Sequence, residues 1–196
     1  MSDRRSSSAI AYGGAAGILA AVLFASSLVL VQVAPVSQTY ESTSSYVNSA
    51  LLAAAFVAAA VSVLGILAAH RGHAKFGRVG AVGGWLAVAG YLVVALHSIY
   101  AMIVGNGQSA IAVRIGAAAA LVFGSALLGI MTLCSRVLPW WCGALLIVAF
   151  PLGVIAEAAV AGIEAFFLAL LWGSVGAALI RLRAGSITAR AAVEAR

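Results

Sequence analysis

Charged residues are scarce in this chain, and aspartate is almost absent. Only 8% of the 196 residues are charged, and Asp3 is the single aspartate. Soluble domains carry about 25% charged and 45–50% apolar residues, whereas 64% of this chain is apolar and its mean hydropathy is +1.14. These values exclude an ordinary soluble domain and a disordered chain. They predict an all-α polytopic transmembrane helical bundle with no room for a separate soluble domain.

The lack of aspartate also limits the chemistry that the chain can perform. Metal-dependent phospholipid and polyprenyl-phosphate transferases hold Mg²⁺ with clustered aspartates, and no such cluster exists here. Neither a Gly-x-Ser-x-Gly nor a His-Glu-x-x-His motif occurs. Enzymatic activity is therefore disfavoured, although the sequence leaves open a membrane enzyme that uses His97 or Glu157 as acid or base.

Metal and haem sites are disfavoured by the positions of the histidines. The pair His70 and His73 stands in a basic loop with no carboxylate or thiol to complete a metal site, so we interpret it as a solvated loop. His97 is predicted at a different depth, which argues against bis-histidine haem. We expect no resident metal and no cofactor.

Apolar runs divide the chain into six spans with two tails. The last run is twice too long for one helix, and Glu157 and Glu164 bracket a turn near Gly162 that divides it. The predicted segments are an N-terminal tail at 1–9, spans at about 10–33, 49–69, 80–104, 111–133, 138–156 and 164–181, and a C-terminal tail at 183–196.

Basic residues predict the orientation of the bundle. Ten of the eleven fall in the tails and in the connections that share their side of the membrane, and Arg114 is the exception. By the positive-inside rule both termini are cytoplasmic. Three connections are predicted on the opposite side of the membrane: those between Pro35 and Asn48, between Asn106 and Ser109, and between Glu157 and Glu164.

Glycine, proline, cysteine and buried aromatic residues carry packing predictions. Gly13-x-x-x-Gly17 and Gly80-x-x-x-Gly84 are typical of closely approaching membrane helices, although a chain with 21 glycines also produces such spacings by chance. Pro151 predicts a kink in the fifth span, and the aromatic residues Trp85, Tyr91 and Trp172 are expected to pack between helices. Cys134 and Cys142 are predicted to be packing thiols rather than a disulfide.

The ionisable residues of the spans define one candidate ligand site. His97, Arg114, Glu157 and Glu164 are all predicted in the outer third of the membrane, where they converge if their helices are neighbours, with Tyr100 and Tyr91 as walls. The alternative is structural: Arg114 extends to the outer headgroups, Glu164 stabilises the start of the sixth span, and Glu157 is a solvated turn residue.

Two resemblances accompany this interpretation. The layout resembles that of small bacterial six-span integral membrane proteins of unassigned activity, including the segment Arg136-Val-Leu-Pro139-Trp-Trp141 before the fifth span. The chain is also similar in size and span number to the substrate-binding subunits of vitamin-type energy-coupling transporters. That second resemblance implies an outward-facing pocket and small-residue helix faces that dock a partner. Ala11-x-x-x-Ala15 and the connection 35–48 are the segments that would supply these features.

Two functions follow as hypotheses. The first is a non-enzymatic accessory or subunit-type protein that associates with another membrane protein, or with itself, through apolar helix faces. The alternative is a small-molecule binding or transport protein that uses the outer polar residues. The expected location is the lipid bilayer of a bacterial cytoplasmic membrane, and nucleic acid is not an expected partner.

Overall fold

The computed structural model describes residues 2–34, 36–37, 40–106, 111–157 and 159–194. Within these ranges every regular element is a helix. Pro35, Ser109 and Arg196, on which parts of the topology prediction depend, lie outside the described residues. The six helices are α1 Ser2–Val33, α2 Thr43–Ala69, α3 Gly77–Val104, α4 Ile111–Ser135, α5 Trp140–Glu157 and α6 Ile163–Glu194.

All six helices are long and apolar enough to cross a membrane. This confirms the predicted all-α bundle of six spans. Helices α1 and α6 continue past the predicted spans, into the segments assigned as tails. We call the face that holds the start of α1, the connections α2–α3 and α4–α5 and the end of α6 the basic face, and the other face the opposite face.

The helices form a closed ring in chain order. Each helix packs against the next one along the chain, and α6 returns to pack against α1. Helix α2 also touches α6, so α1 lies over the α2–α6 pair. Helix α1 is the least buried of the six spans.

Glycines occur at every contact between neighbouring helices around this ring. A Cβ atom at Gly65 would lie 2.6 Å from the Cα atom of Gly13, so the α1 and α2 backbones touch with no side chain between them. Such contacts matter in a bilayer, where lipid and side chains are equally apolar and helices associate by close packing. The glycines concerned are Gly13 and Gly65 between α1 and α2, Gly14, Gly17, Gly173 and Gly176 between α1 and α6, Gly84 between α2 and α3, Gly83, Gly90 and Gly124 between α3 and α4, Gly129 and Gly143 between α4 and α5, and Gly153 between α5 and α6.

The predicted glycine motifs have different outcomes. Gly13 and Gly17 face α2 and α6, so the first motif is an interhelical contact. Gly84 faces Leu67 of α2, but a Cβ at Gly80 would meet the ring of Phe76 beside the start of the same helix. The second motif is therefore interhelical at one of its two glycines.

Aromatic rings fill the centre of the ring of helices. Phe24 packs edge-on against Phe56 with centroids 5.2 Å apart, Phe56 lies 6.0 Å from Tyr91, and Tyr91 packs edge-on against Trp172 at 5.5 Å. This confirms the packing prediction for Tyr91 and Trp172. It is wrong for Trp85, which is 60% exposed on the outside of the bundle.

The aromatic centre also contains polar atoms that have no hydrogen bond. The Tyr91 hydroxyl is close to the Ser125 hydroxyl and to the indole N–H of Trp172, yet none of the three closes a hydrogen bond within the described residues. A buried hydrogen bond does form between α1 and α2, where the Ser27 hydroxyl donates to the Asn48 side-chain oxygen over 2.7 Å. Tyr91 therefore belongs to the core and forms no wall of an outer pocket.

Pro151 and the two cysteines lie in the second half of the bundle. Helix α5 continues through Pro151, whose missing N–H leaves the carbonyl four residues earlier without its helical partner. Cys142 is buried and Cys134 is exposed, and both are free thiols.

We expect Gly65→Ala to destabilise the bundle by about 1–3 kcal/mol, because the new methyl group forces two backbones apart. Thermal unfolding in detergent measures the effect. Gly116→Ala is the matched control, since no atom of the described residues lies within 4 Å of the Cβ position there, and it should keep or raise the stability. Equal melting temperatures for the two variants would contradict the close α1–α2 contact.

Candidate functional site

The five residues of the predicted outer site occupy four helices. His97 and Tyr100 lie on α3, Arg114 on α4, Glu157 at the end of α5 and Glu164 at the start of α6. All five are on the opposite face of the bundle, as predicted from the order of the spans. Whether they form one site depends on their contacts.

Glu157 acts as a cap for α6. One of its carboxylate oxygens accepts a hydrogen bond from the Gly162 N–H over 2.8 Å, and the other accepts from the Glu164 N–H over 3.1 Å. The first N–H groups of a helix have no partner within it and carry partial positive charge. The Glu157 carboxylate satisfies two such groups, and Gly162 allows the turn with a left-handed φ of 81°.

Helix α1 contacts the same turn. The Gln32 side-chain amide donates to the Ala161 carbonyl over 2.9 Å. Val31 lies 3.3 Å from the position that a Cβ of Gly162 would occupy. The α5–α6 turn is thus fastened at two points, by Glu157 from α5 and by the end of α1.

Glu164 is half-buried between α5 and α6. Gly153 of α5 provides the space, since a Cβ there would lie 3.0 Å from the Glu164 Cγ atom and 3.1 Å from its Cα atom. Arg114 and Glu157 are within electrostatic range of the Glu164 carboxyl, the first attractive and the second repulsive. Glu164, Glu157 and Arg114 therefore form one electrostatic group.

His97 and Tyr100 do not join this group. His97 is half-buried and Tyr100 is 48% exposed, and no described hydrogen bond links either residue to Arg114, Glu157 or Glu164. Helix α3 packs against α2 and α4, within the described residues, and not against α5. The structure brings three of the five predicted residues together, and the geometry of Glu157 is that of a cap.

Replacing Glu157 by Gln should cost about 1 kcal/mol of stability. An amide offers one acceptor oxygen where the carboxylate offers two, and it removes the negative charge beside the start of α6. Thermal unfolding of the purified protein reports the loss. Ala159→Gln places the same side chain on an exposed position of the same turn and should leave stability unchanged. A Glu157→Gln protein as stable as the native one would show that the cap contributes nothing.

A separate cavity of about 680 Å³ opens at the basic face. Its polar wall comes from the α2–α3 connection, with His70, Arg71 and His73. Its apolar wall comes from the helices, including Leu64 of α2 and Trp85 of α3. None of the five predicted site residues lines it.

His70 is the buried polar group of this wall. The residue is 1% exposed, its ring stacks on Phe76 with centroids 4.4 Å apart, and its Nδ1 lies 2.8 Å from the Ile66 carbonyl. The prediction of a solvated histidine pair is wrong for His70 and holds for the exposed His73. Spacing alone gave no indication that Phe76 would cover the ring.

Burial lowers the pKa of His70 below its ordinary value of 6.5. The nearby His73 lowers this pKa further, and the hydrogen bond to the Ile66 carbonyl opposes the shift. Folding therefore favours the neutral ring of His70, because a charged ring would lose its hydration.

Acid should weaken the folded state through His70. Because folding lowers the pKa of His70, the unfolded chain binds a proton at this side chain before the folded protein does as the pH falls. The contribution of the neutral His70 ring to stability is therefore complete above pH 6.5 and is lost below it. We expect the melting temperature to fall between pH 7.5 and pH 5, and to fall less in a His70→Asn variant. The same pH dependence in both proteins would assign the effect to other groups.

The end of α4 at the opposite face is exposed on all sides. Five consecutive residues, Ala112 to Gly116, are exposed, and burial begins only at Ala117. Five described glycines have no described atom within 4 Å of their Cβ position. Gly72, Gly77, Gly105 and Gly185 lie in connections or at the first or last residue of a span, whereas Gly116 is the fifth residue of its span. Sequence reasoning missed this feature, because the sequence alone does not tell which glycines face a neighbouring helix.

Three comparisons with known proteins give no further guidance. Protein-family models, curated proteins and solved structures contain no match for this chain. Among the described residues, no group of three or more His, Cys, Asp or Glu side chains is placed to hold a metal ion.

Proposed function

We propose that the protein is a non-enzymatic accessory subunit that binds a transmembrane helix of a partner through the outer end of α4. The observation that carries the proposal is the open Gly116. Apart from Gly77 and Gly185 at the ends of their spans, every other described glycine inside the spans lies against protein atoms, nearly always those of a neighbouring helix. At Gly116 no described atom lies within 4 Å of that position. A partner helix occupies this place in the assembled complex.

The neighbouring residues support the proposal. Ala112, Gly116 and Ala119 lie one turn apart and are exposed, which gives a small-residue face of the kind that permits close helix contact. Arg114 is exposed on the same helix end, where it adds a charge that a partner's carboxylate can pair with. The partner is a different membrane protein or a second copy of this chain.

The small-molecule alternative has weaker support. Glu157 is engaged by two backbone N–H groups, and His97 and Tyr100 stand apart from the electrostatic group. The cavity described above lies at the other end of the bundle. The location that we propose is a bacterial cytoplasmic membrane with both termini in the cytoplasm, supported by the sequence prediction that puts ten of the eleven basic residues on one side of the membrane.

Native mass spectrometry of the protein released from its own membranes tests the proposal. We expect a second polypeptide or a second copy in the native sample, and its loss in a Gly116→Leu variant, because the longer side chain fills the contact position without touching the monomer's core. Ala54→Leu, at an exposed position of α2, should keep the complex.

Other outcomes would overturn it. A native protein that is monomeric in every sample has no such partner, and equal loss of the complex in both variants would place the contact elsewhere. A monomer that carries a discrete non-lipid mass, lost on Arg114→Ala, would support the small-molecule function instead.

A further inference from the structure

The cavity at the basic face has two chemically different walls. The α2–α3 connection supplies His70, Arg71 and His73, and no acidic side chain of the described residues contributes to the lining. Lys75 and Arg78 are exposed on the same connection and the start of α3. The polar wall therefore has a positive field, and no acidic residue of the described lining balances it.

The second wall extends along the helices into the membrane. Leu64 is 38% exposed and Trp85 is 60% exposed, so both lie on the lipid-facing outside of the bundle. Trp85 follows the first residue of α3 by eight positions, which is about 12 Å at roughly 1.5 Å per residue. The cavity thus runs from charged loop to apolar helix surface, which matches a molecule with an anionic head and a hydrocarbon tail.

His70 adds a specific requirement for the head. The Ile66 carbonyl can only accept a hydrogen bond, so the Nδ1 atom of His70 carries the proton. In the neutral ring the Nε2 atom is then an acceptor, and it is buried with no partner among the described residues. A buried acceptor without a donor is costly, and a ligand hydroxyl would satisfy it.

We propose that this cavity binds one phospholipid whose headgroup carries a net negative charge and a free hydroxyl, with phosphatidylglycerol as the fitting type. Arg71 and His73 bind the phosphate, since Arg matches phosphate oxygens with several N–H donors. The Nε2 atom of His70 accepts from the headgroup hydroxyl, and an acyl chain lies against Leu64 and Trp85. The site is independent of the α4 contact, which lies at the opposite face.

The test is native mass spectrometry of the delipidated protein titrated with phosphatidylglycerol, phosphatidylethanolamine or phosphatidylcholine. We expect one phosphatidylglycerol to bind more tightly than either other lipid, and Arg71→Gln to weaken it by about tenfold or more. Arg181→Gln removes the same charge from the exposed surface of α6 and should leave the affinity unchanged. Equal effects of the two variants would reduce the interaction to general surface charge and overturn the site.

A second pair of variants tests the cavity without changing charge. Ala81 lines the cavity, so Ala81→Leu fills it and should abolish the tightly bound lipid. Ala89→Leu places the same side chain on an exposed position of α3 outside the lining and should keep it. Retained binding in Ala81→Leu would overturn the proposal.

Two further measurements distinguish a bound lipid headgroup from a bound free phosphate ion. Excess inorganic phosphate should not displace the lipid, because it lacks the acyl chain that the apolar wall binds. Displacement by phosphate alone would show a free-anion site, and equal affinity for the three lipids would show that headgroup charge is not recognised. Either result contradicts the assignment.

Discussion

Direct contact between helix backbones is the interaction on which this structure depends. Inside a bilayer the apolar side chains gain little by leaving lipid for protein, so helices associate through dispersion contacts whose strength falls steeply with distance. Gly13 and Gly65 bring two backbones together with no intervening side chain. Similar contacts recur around the ring, and they leave a centre narrow enough for four aromatic rings to fill it.

At the opposite face, the ring is fastened by hydrogen bonds rather than by close packing. At the α5–α6 turn, Glu157 supplies both carboxylate oxygens to backbone N–H groups, while Gln32 reaches the same turn from α1. These bonds act where water competes, so each contributes modestly. Their effect is geometric: they fix the start of α6, and with it the position of Glu164 against Gly153.

The sequence predicts the number, type and order of the helices because each membrane crossing requires about 20 consecutive apolar residues, with polar connections between them. The composition and the spacing of charges sufficed for all six spans, and Pro151 falls inside α5 as expected. Which helix faces meet is a different matter, because Ala, Gly and Leu are compatible with lipid and with a neighbouring helix alike. For that reason Trp85 was misplaced in the interior.

The candidate site was less predictable for the same reason. The position of a residue along its helix follows from the sequence, and the five residues of the predicted site lie at the same face of the bundle. Lateral position does not follow, so the separation of His97 and Tyr100 from Glu164 became visible only in three dimensions. His70 shows a further limit, since its burial depends on a stacking partner, Phe76, that spacing rules do not identify.

The contact between α1 and α6 has a consequence for biosynthesis. Gly14 and Gly17 of α1 pack on Gly176 of α6, and the ribosome synthesises α2 to α5 between these two helices. The face of α1 that packs on α6 therefore has no protein partner there until α6 has entered the bilayer. The contact that closes the ring can form only after that point.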